Sequence, residues 1–234
     1  MLLIQRSIVT CFVAATVFAV FVGCGDSGSG GSPPAASIAG SQAGDPASPE
    51  STSEPASPAD ASDRIHPRVV VETSEGNFTL ELDAQNAPLT VDNFLTYVSN
   101  GHYDNTIFHQ VVPQQPKLVL GGGYTSELTA KPTSPPIRNE ADNGLKNRRG
   151  TIAMARRPDA IDSATSHFFI NLSDNPMLDH SDRTLDGYGY CVFGSVVEGL
   201  DVVERIGSAE IHDTDEFAQI PVDPVVVRSM RCVK

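Results

Sequence analysis

Among the residues of this chain whose types could do chemistry are His109 and its neighbour Gln110. A histidine can donate or accept a proton near neutral pH, so His109 is a candidate acid or base, although a supporting structural role is the alternative. Gln110 can donate a hydrogen bond but carries no charge. A hydrolase is not indicated, because Ser163 and Ser166 flank His167 without the Gly-x-Ser-x-Gly turn that exposes a nucleophilic serine.

The sequence gives only weak indications of metal or phosphate binding. The six histidines and scattered aspartates, as in Asp179-His180 and His212-Asp213, lack the close ligand spacing of zinc or calcium sites. Gly121 to Gly123 could cradle a phosphate, but no Gly-Lys-Ser/Thr follows, so a tight backbone turn is predicted there. The sequence therefore predicts no metal and no cofactor.

The N-terminus is typical of an export signal. Arg6 precedes an apolar run from Ser7 to Val22 that is short for a membrane span. The run ends at Gly23-Cys24, which resembles the lipobox of bacterial lipoproteins, where the chain is cut before the cysteine and its thiol is acylated. A signal peptide or short anchor with a chance cysteine is the alternative. We expect a lipoprotein signal peptide at residues 1–23 and a lipidated Cys24.

Residues 24–65 form a segment of Gly, Ser, Pro, Ala and scattered acids. Between Gly25 and Asp63, Ile38 is the only large apolar residue, so this segment cannot bury enough surface to offset the entropy of ordering. It is predicted to be a disordered tether with a reach of roughly 35 Å. We therefore expect an exported protein of the periplasm or cell envelope, anchored to a membrane through its N-terminal lipid.

The charge of the chain excludes one class of partner. The formal net charge is −13, and the basic residues form no cluster larger than Arg148-Arg149 or Arg156-Arg157. An acidic protein without a basic patch is not expected to bind nucleic acid, and a monomer is expected. Cys191 and Cys232 lie in apolar, strand-like runs and could form one disulfide or remain two buried thiols, of which the thiols are favoured.

The hydrophobic pattern of residues 66–234 predicts a single, mainly β domain. Its first two segments, Arg68–Thr73 and Phe78–Leu82, flank a hairpin-type turn. Pro88 is placed to begin a helix that Asn100-Gly101 ends, and a second helix is expected at about Leu200–Ile206. Further strands are predicted at Thr106–Val112, Thr151–Ala155, His167–Leu172, Tyr190–Val197 and Pro224–Val233. No βαβ alternation occurs, which favours an antiparallel barrel.

Several motifs in this domain closely resemble the cyclophilins. The run Tyr103–His109 resembles the segment that leads into their active-site strand, and further runs match the family in order and spacing. These are Ile137–Leu145, Arg149–Arg156, Ser163–Asn171 and Gly189–Gly194. The resemblance covers essentially all of residues 68–234. It implies a cyclophilin-like eight-stranded antiparallel closed barrel capped by two α-helices, with peptidyl-prolyl cis-trans isomerase activity.

One departure from the family concerns the chemistry itself. Rotation about an Xaa-Pro bond faces a barrier of about 18–20 kcal/mol, and only contacts that are stronger in the twisted amide lower it. In the family an arginine after the Phe-His pair makes such a contact, and here Gln110 stands in its place. Hydrogen bonds to charged groups contribute about 1.5–3 kcal/mol against about 0.5–1.5 kcal/mol for neutral ones, so turnover roughly 5- to 30-fold slower is expected.

The resemblance also implies a site made of a pair at the reacting bond and a slot for the proline ring. Gln110 and His109 form the pair. Lys117 could replace the missing charge, but a solvated loop lysine is the simpler interpretation. Leu120, His167 and Met177 differ from the side chains usual in the family. The expected substrate-binding residues are Leu118, Leu120, Met154, Ala155, His167, Phe169, Met177, Leu178 and Tyr190.

The resemblance finally implies a function and a kind of partner. The partners would be proline-containing polypeptides, and the function would be to assist the folding of exported or envelope proteins. The alternative is a non-catalytic module of the same fold that binds proline-containing peptides, because the polar groups around the expected slot differ from those of the family.

Overall fold

A computed structural model describes residues 65–233. The predicted signal peptide, the lipidation of Cys24 and the tether lie outside the described residues, apart from Ile65. Within residues 65–233, no helix is long and apolar enough to cross a membrane.

Ten strands and two α-helices make up the described part of the chain. Their order is β1 Arg68–Thr73, β2 Gly76–Leu82, α1 Pro88–Ser99, β3 Thr106–Val112, β4 Leu118–Thr125, β5 Thr151–Met154, β6 Phe168–Asn171, β7 Val192–Glu198, α2 Leu200–Ile206, β8 Ile211–His212, β9 Ile220–Pro221 and β10 Val226–Val233. Short 3-10 helices occur at Ala141–Asn143 and Pro176–Leu178.

Eight of these strands close into a barrel in the order β1-β10-β3-β4-β6-β5-β7-β2, and every neighbouring pair is antiparallel. The predicted eight-stranded closed barrel with two helices is therefore confirmed. The hairpin forms as its sequence indicates: Val71 pairs with Phe78, and Gly76 takes the positive φ of 126° at the turn. Strands β8 and β9 form a separate small sheet that was not predicted.

Helix α1 packs against the barrel interior through Phe94. The Phe94 ring centroid lies 5.2 Å from that of Tyr103 and 5.2 Å from that of Phe193. The N-terminus of the helix is satisfied by the carboxylate of Glu140, which accepts hydrogen bonds from the backbone and hydroxyl of Thr90 at 2.9 and 2.7 Å. The helix begins at Pro88, as predicted.

The triple glycine is the main error of the secondary-structure prediction. Gly121 to Gly123 lie inside β4, a strand that the sequence pattern did not reveal, and they do not form a tight turn. The glycines allow β4 to approach the neighbouring segment: a Cβ on Gly122 would lie 2.6 Å from the carbonyl oxygen of Ser166. Gly122 also has a positive φ of 92°, which few other residues adopt. The run of glycines therefore indicates close packing of β4 against the neighbouring segment and not a turn.

The two cysteines of the domain differ in their surroundings. Both are free, so no disulfide joins them, and Cys191 is a buried thiol as expected. Cys232 is exposed, which contradicts the prediction of two buried thiols. The reason is that the last residues of β10, from Arg231 to Val233, are exposed although they still pair with β1.

Candidate active site

Strand β3 carries His109 and Gln110 across a β-bulge. Phe108 pairs with Gly121 and Gln110 with Leu120, so one extra residue, His109, is inserted on the β3 side. Phe108 belongs to the interior cluster of the barrel, whereas Leu120, the partner of Gln110, does not. The bulge therefore shifts the side-chain alternation of β3 by one residue after Phe108.

Gln110 starts a row of cross-strand neighbours on the outer side of the barrel. Leu120 pairs with Gln110 in β3 and with Phe169 in β6, and Phe169 pairs with Ala153 in β5. Directly paired residues point to the same face of a sheet. The row therefore runs from a polar donor on β3 to an aromatic floor on β6, and it continues to Ala153 on β5.

A second apolar cluster surrounds this row, and we call it the outer cluster. Its buried members come from five barrel strands and from the 3-10 helix before Asp179, and three partly buried side chains pack against them. The buried members are Val112, Leu118, Leu120, Ala153, Phe169, Leu178 and Val192, and the partly buried ones are Leu145, Ala155 and Tyr190. An apolar cluster beside a polar donor has the chemistry needed to hold a proline ring next to its amide.

Most of the predicted slot residues meet in the outer cluster. They are Leu118, Leu120, Ala155, Phe169, Leu178 and Tyr190. Met177 precedes Leu178 and is 57% exposed. Met154 lies elsewhere: its side chain belongs to the interior cluster and not to the outer cluster. Its strand alternates, and Ala153 takes the outer face instead.

Four cluster members were missed by the sequence interpretation: Val112, Ala153, Val192 and Leu145. A signal for Val112 was present, since it lies two residues after Gln110 and therefore shares its face of β3. Ala153 could have been found in the same way from Ala155. Val192 and Leu145 lie far from Gln110 in sequence, and only the closure of the barrel brings them together.

The amide of Gln110 is available to a ligand. Its side chain has no hydrogen-bond partner among residues 65–233, and the residue is 8% exposed. The backbone of Lys117 forms two hydrogen bonds: its carbonyl oxygen accepts from the Leu172 amide at 2.9 Å and from the Asn175 side chain at 3.1 Å. Gln110 is thus the free polar donor beside the outer cluster.

His109 and His167 lie in a group of four rings next to Gln110. The His109 ring centroid is 4.8 Å from Tyr124, 5.4 Å from His167 and 6.4 Å from Phe217. Sequence reasoning did not single out Tyr124 or Phe217. The loop before β9 brings Phe217 to this group.

Burial keeps both histidines neutral. Burial, with a smaller contribution from the neighbouring His167, lowers the pKa of His109 to about 3. Burial likewise lowers the pKa of His167 to about 4, with a smaller contribution from His102. The buried Nδ1 of His109 has no hydrogen-bond partner. At neutral pH the His109 side chain is therefore uncharged and cannot act as a cationic acid, which favours the supporting role over acid catalysis.

The part of the chain that the structure describes holds no group of three His, Cys, Asp or Glu side chains placed to bind a metal ion. Rotation about an amide breaks no bond and needs no proton transfer. A free amide donor beside an apolar floor is the kind of arrangement that such a rotation requires.

Comparisons with known proteins point the same way. The family model described as cyclophilin type peptidyl-prolyl cis-trans isomerase/CLD matches residues 68–232. Peptidyl-prolyl cis-trans isomerase A of Dickeya dadantii is 47% identical over 166 residues, covering 71% of this chain and 84% of that protein. The isomerase cyp18 of Streptomyces antibioticus is 48% identical over 163 residues, covering 70% and 96%. Peptidyl-prolyl cis-trans isomerase B of Escherichia coli is 43% identical over 162 residues, covering 69% and 97%.

Solved structures share the fold. A cyclophilin type peptidyl-prolyl cis-trans isomerase of Cryptosporidium parvum matches with a TM-score of 0.59 and 22% identity, covering 72% of this chain and 98% of that one. The same protein crystallised in the presence of the dipeptide Ala-Pro matches with a TM-score of 0.58 and 23% identity, covering 71% and 99%. With its sequence, its barrel and its relatives in agreement, the chain belongs to the cyclophilin-type peptidyl-prolyl cis-trans isomerases.

Proposed function

We propose that this protein is an exported, lipid-anchored isomerase that interconverts cis and trans Xaa-Pro bonds in proline-containing polypeptides of the cell envelope. The observation that carries the activity is the cross-strand row Gln110–Leu120–Phe169, which sets an unpaired amide donor beside an apolar floor. Relatives at 43–48% identity are named as isomerases, which supports the same activity here.

In this proposal the outer cluster holds the proline ring against Phe169 and removes water from around the amide. Outside the protein the barrier comes from amide resonance. The Gln110 amide donates a hydrogen bond to the backbone oxygen of the proline. A contact that strengthens as the amide twists lowers the barrier, whereas equally strong binding of both states does not.

The proposal includes a reduced rate. Gln110 is neutral and stands where the family has a charged arginine. The difference between a charged and a neutral hydrogen bond is about 1 to 2 kcal/mol, or roughly 5- to 30-fold in rate. Turnover should therefore be measurable but slow for the family.

The activity is tested on the chain without its predicted signal, residues 24–234, carrying Cys24→Ser for solubility. Exchange spectroscopy by NMR measures cis-trans interconversion of the peptide Ala-Ala-Pro-Phe with and without the protein. Faster exchange at catalytic protein concentrations supports the proposal. Saturable binding without faster exchange would refute it and would support the second candidate, a non-catalytic peptide-binding module, which the uncharged Gln110 favours.

The anchor and the location rest on the sequence pattern around Cys24. The proposed tether lets the domain work in a layer roughly 35 Å above the membrane. The test is metabolic labelling of the full chain with a fatty-acid probe in a bacterial host, followed by fractionation. Label that is lost in Cys24→Ser, together with release from the membrane, supports the anchor. Label retained in that variant would rule out acylation at this residue.

A further inference from the structure

Arg156 is a buried cation that follows Ala155 at the end of β5. It is 8% exposed, and all its nitrogens donate to backbone carbonyl oxygens. Nε donates to Gly189 at 2.9 Å, Nη1 to Arg157 at 3.0 Å and Nη2 to Leu185 at 2.6 Å. It forms no ion pair with a carboxylate within residues 65–233. A buried guanidinium without a counterion is costly, so its location asks for an explanation.

The aromatic ring of Tyr190 lies against this guanidinium. The Arg156 Cζ is 5.1 Å from the centre of the Tyr190 ring, within the range of a cation–π interaction. The Tyr190 ring also meets Phe169 edge to face, with centroids 5.6 Å apart and planes at 80°. Tyr190 therefore contacts both a fixed cation and the floor of the outer cluster.

The backbone around Tyr190 is also fixed, by the conformation of Gly189 and by hydrogen bonds. Gly189 has a positive φ of 74°, and a Cβ there would lie 2.6 Å from the backbone of Asp179. Its carbonyl oxygen accepts a second hydrogen bond, from the Asn139 side chain at 3.2 Å. The Tyr190 amide donates to the Leu178 carbonyl oxygen at 3.0 Å. Arg156 therefore contacts both the backbone before Tyr190 and the Tyr190 ring.

We propose that Arg156 is a positioning residue for the proline slot: it holds the Tyr190 ring at the edge of Phe169 and so sets the width of the outer cluster. This inference rests on the proposed function, which assigns the outer cluster to a proline ring. Arg156 does not touch the amide that rotates. Its loss should therefore weaken the binding of substrate and of the twisted state alike, which raises KM and leaves kcat nearly unchanged.

The competing explanation is that Arg156 only anchors the loop that contains Leu185 and Gly189. The two explanations differ in the part played by the Tyr190 ring. If Arg156 acts through that ring, removing the ring must remove most of the effect of Arg156 on binding. If it only anchors the loop, its effect must be the same with or without the ring.

The test is a double-mutant cycle in the chain of residues 24–234 with Cys24→Ser. The variants are Arg156→Met, Tyr190→Leu and both together, with Arg156→Lys as a milder change and the exposed Arg157→Met as a matched control. NMR titration gives the Kd for Ala-Ala-Pro-Phe, and exchange spectroscopy gives KM and kcat. Nuclear Overhauser effects between the Tyr190 and Phe169 rings report their contact.

We expect Arg156→Met to raise Kd and KM about 3- to 10-fold, the size of a partly desolvated cation–π contact, and to change kcat less than about 2-fold. Arg156→Lys keeps the charge but not the planar fork, so it should raise the logarithm of Kd by about half as much as Arg156→Met does. In the Tyr190→Leu background, Arg156→Met should change Kd less than about 2-fold. Arg157→Met should leave Kd and KM within about 1.5-fold.

Equal effects of Arg156→Met in both backgrounds would overturn the inference, as would unchanged ring contacts between Tyr190 and Phe169. If Arg156→Met does not fold, the same comparison is made with Arg156→Lys and Tyr190→Leu. If the unmodified protein binds the peptide but does not speed exchange, the proposed isomerase fails, while the Kd cycle still decides the role of Arg156. If it does not bind the peptide, both fail.

Discussion

Gln110 on β3 pairs directly with Leu120 on β4. Leucine offers no hydrogen-bonding group, so the side chain opposite Gln110 does not compete with a ligand for the amide. In this way two departures from the family pattern combine: the polar donor is weaker, but it is unoccupied. The apolar slot can therefore still bind a proline, while the rate of isomerisation is expected to be low because the donor is neutral.

Restoring the charge at this position should restore rate. We expect Gln110→Arg to raise kcat/KM for Ala-Ala-Pro-Phe about 5- to 30-fold, because a charged donor stabilises the twisted amide more than a neutral one. Gln110→Ala, which removes the donor, should lower kcat/KM below that of the unmodified protein. Exchange spectroscopy measures both. An unchanged rate in Gln110→Arg would mean that the amide of the substrate does not reach this residue.

The floor of the slot also contributes to stability. Phe169 is 1% exposed, so Phe169→Ala leaves a cavity and should lower the free energy of unfolding by about 3–5 kcal/mol. Met177→Ala is the matched control, because Met177 is 57% exposed and should change stability by less than about 0.5 kcal/mol. Urea denaturation followed by circular dichroism measures both. Similar values for the two variants would contradict the burial of Phe169.

Stability should fall below pH 6.5. In the folded protein burial lowers the pKa of His109 to about 3 and that of His167 to about 4. The unfolded chain, with histidine pKa values of about 6.5, therefore binds more protons at any pH between these limits. The histidine contribution is fully present above pH 6.5 and is lost as the pH falls, by at most about 1.4 kcal/mol per pH unit for each group.

The variant His109→Phe removes one of these groups and keeps a ring among Tyr124, His167 and Phe217. Urea unfolding at several pH values between 5 and 7 should show a shallower dependence on pH in this variant. The same slope in the variant and the parent would show that His109 is not the source of the acid sensitivity.

The two thiols should differ in reactivity. Cys191 is buried, and burial raises its pKa to about 12, so it should not react with a disulfide reagent at pH 8 in the folded protein. Cys232 is exposed and should react, although partial burial raises its pKa too. With Cys24→Ser, we expect one reactive thiol when folded, two in denaturant and none in folded Cys232→Ser. Fast reaction of two thiols in the folded state would contradict the burial of Cys191.

Much of this protein was determined by local sequence. The alternation in Arg68–Thr73, the turn at Gly76 and the start of α1 at Pro88 each depend on contacts within a few residues, and each was predicted correctly. The replacement of the family arginine by Gln110 is likewise visible without coordinates. Such features are readable because backbone preferences and side-chain periodicity act over short distances.

Only the tertiary structure decided which face of each strand forms the site. Strand β3 is buried at every position, so its sequence does not distinguish the interior from the outer cluster. The bulge at His109 shifts the alternation, and barrel closure turns Met154 inward and Ala153 outward. The contact of Arg156 with Tyr190 joins residues distant in the chain. These choices depend on the pairing register of neighbouring strands, which is a property of the whole barrel.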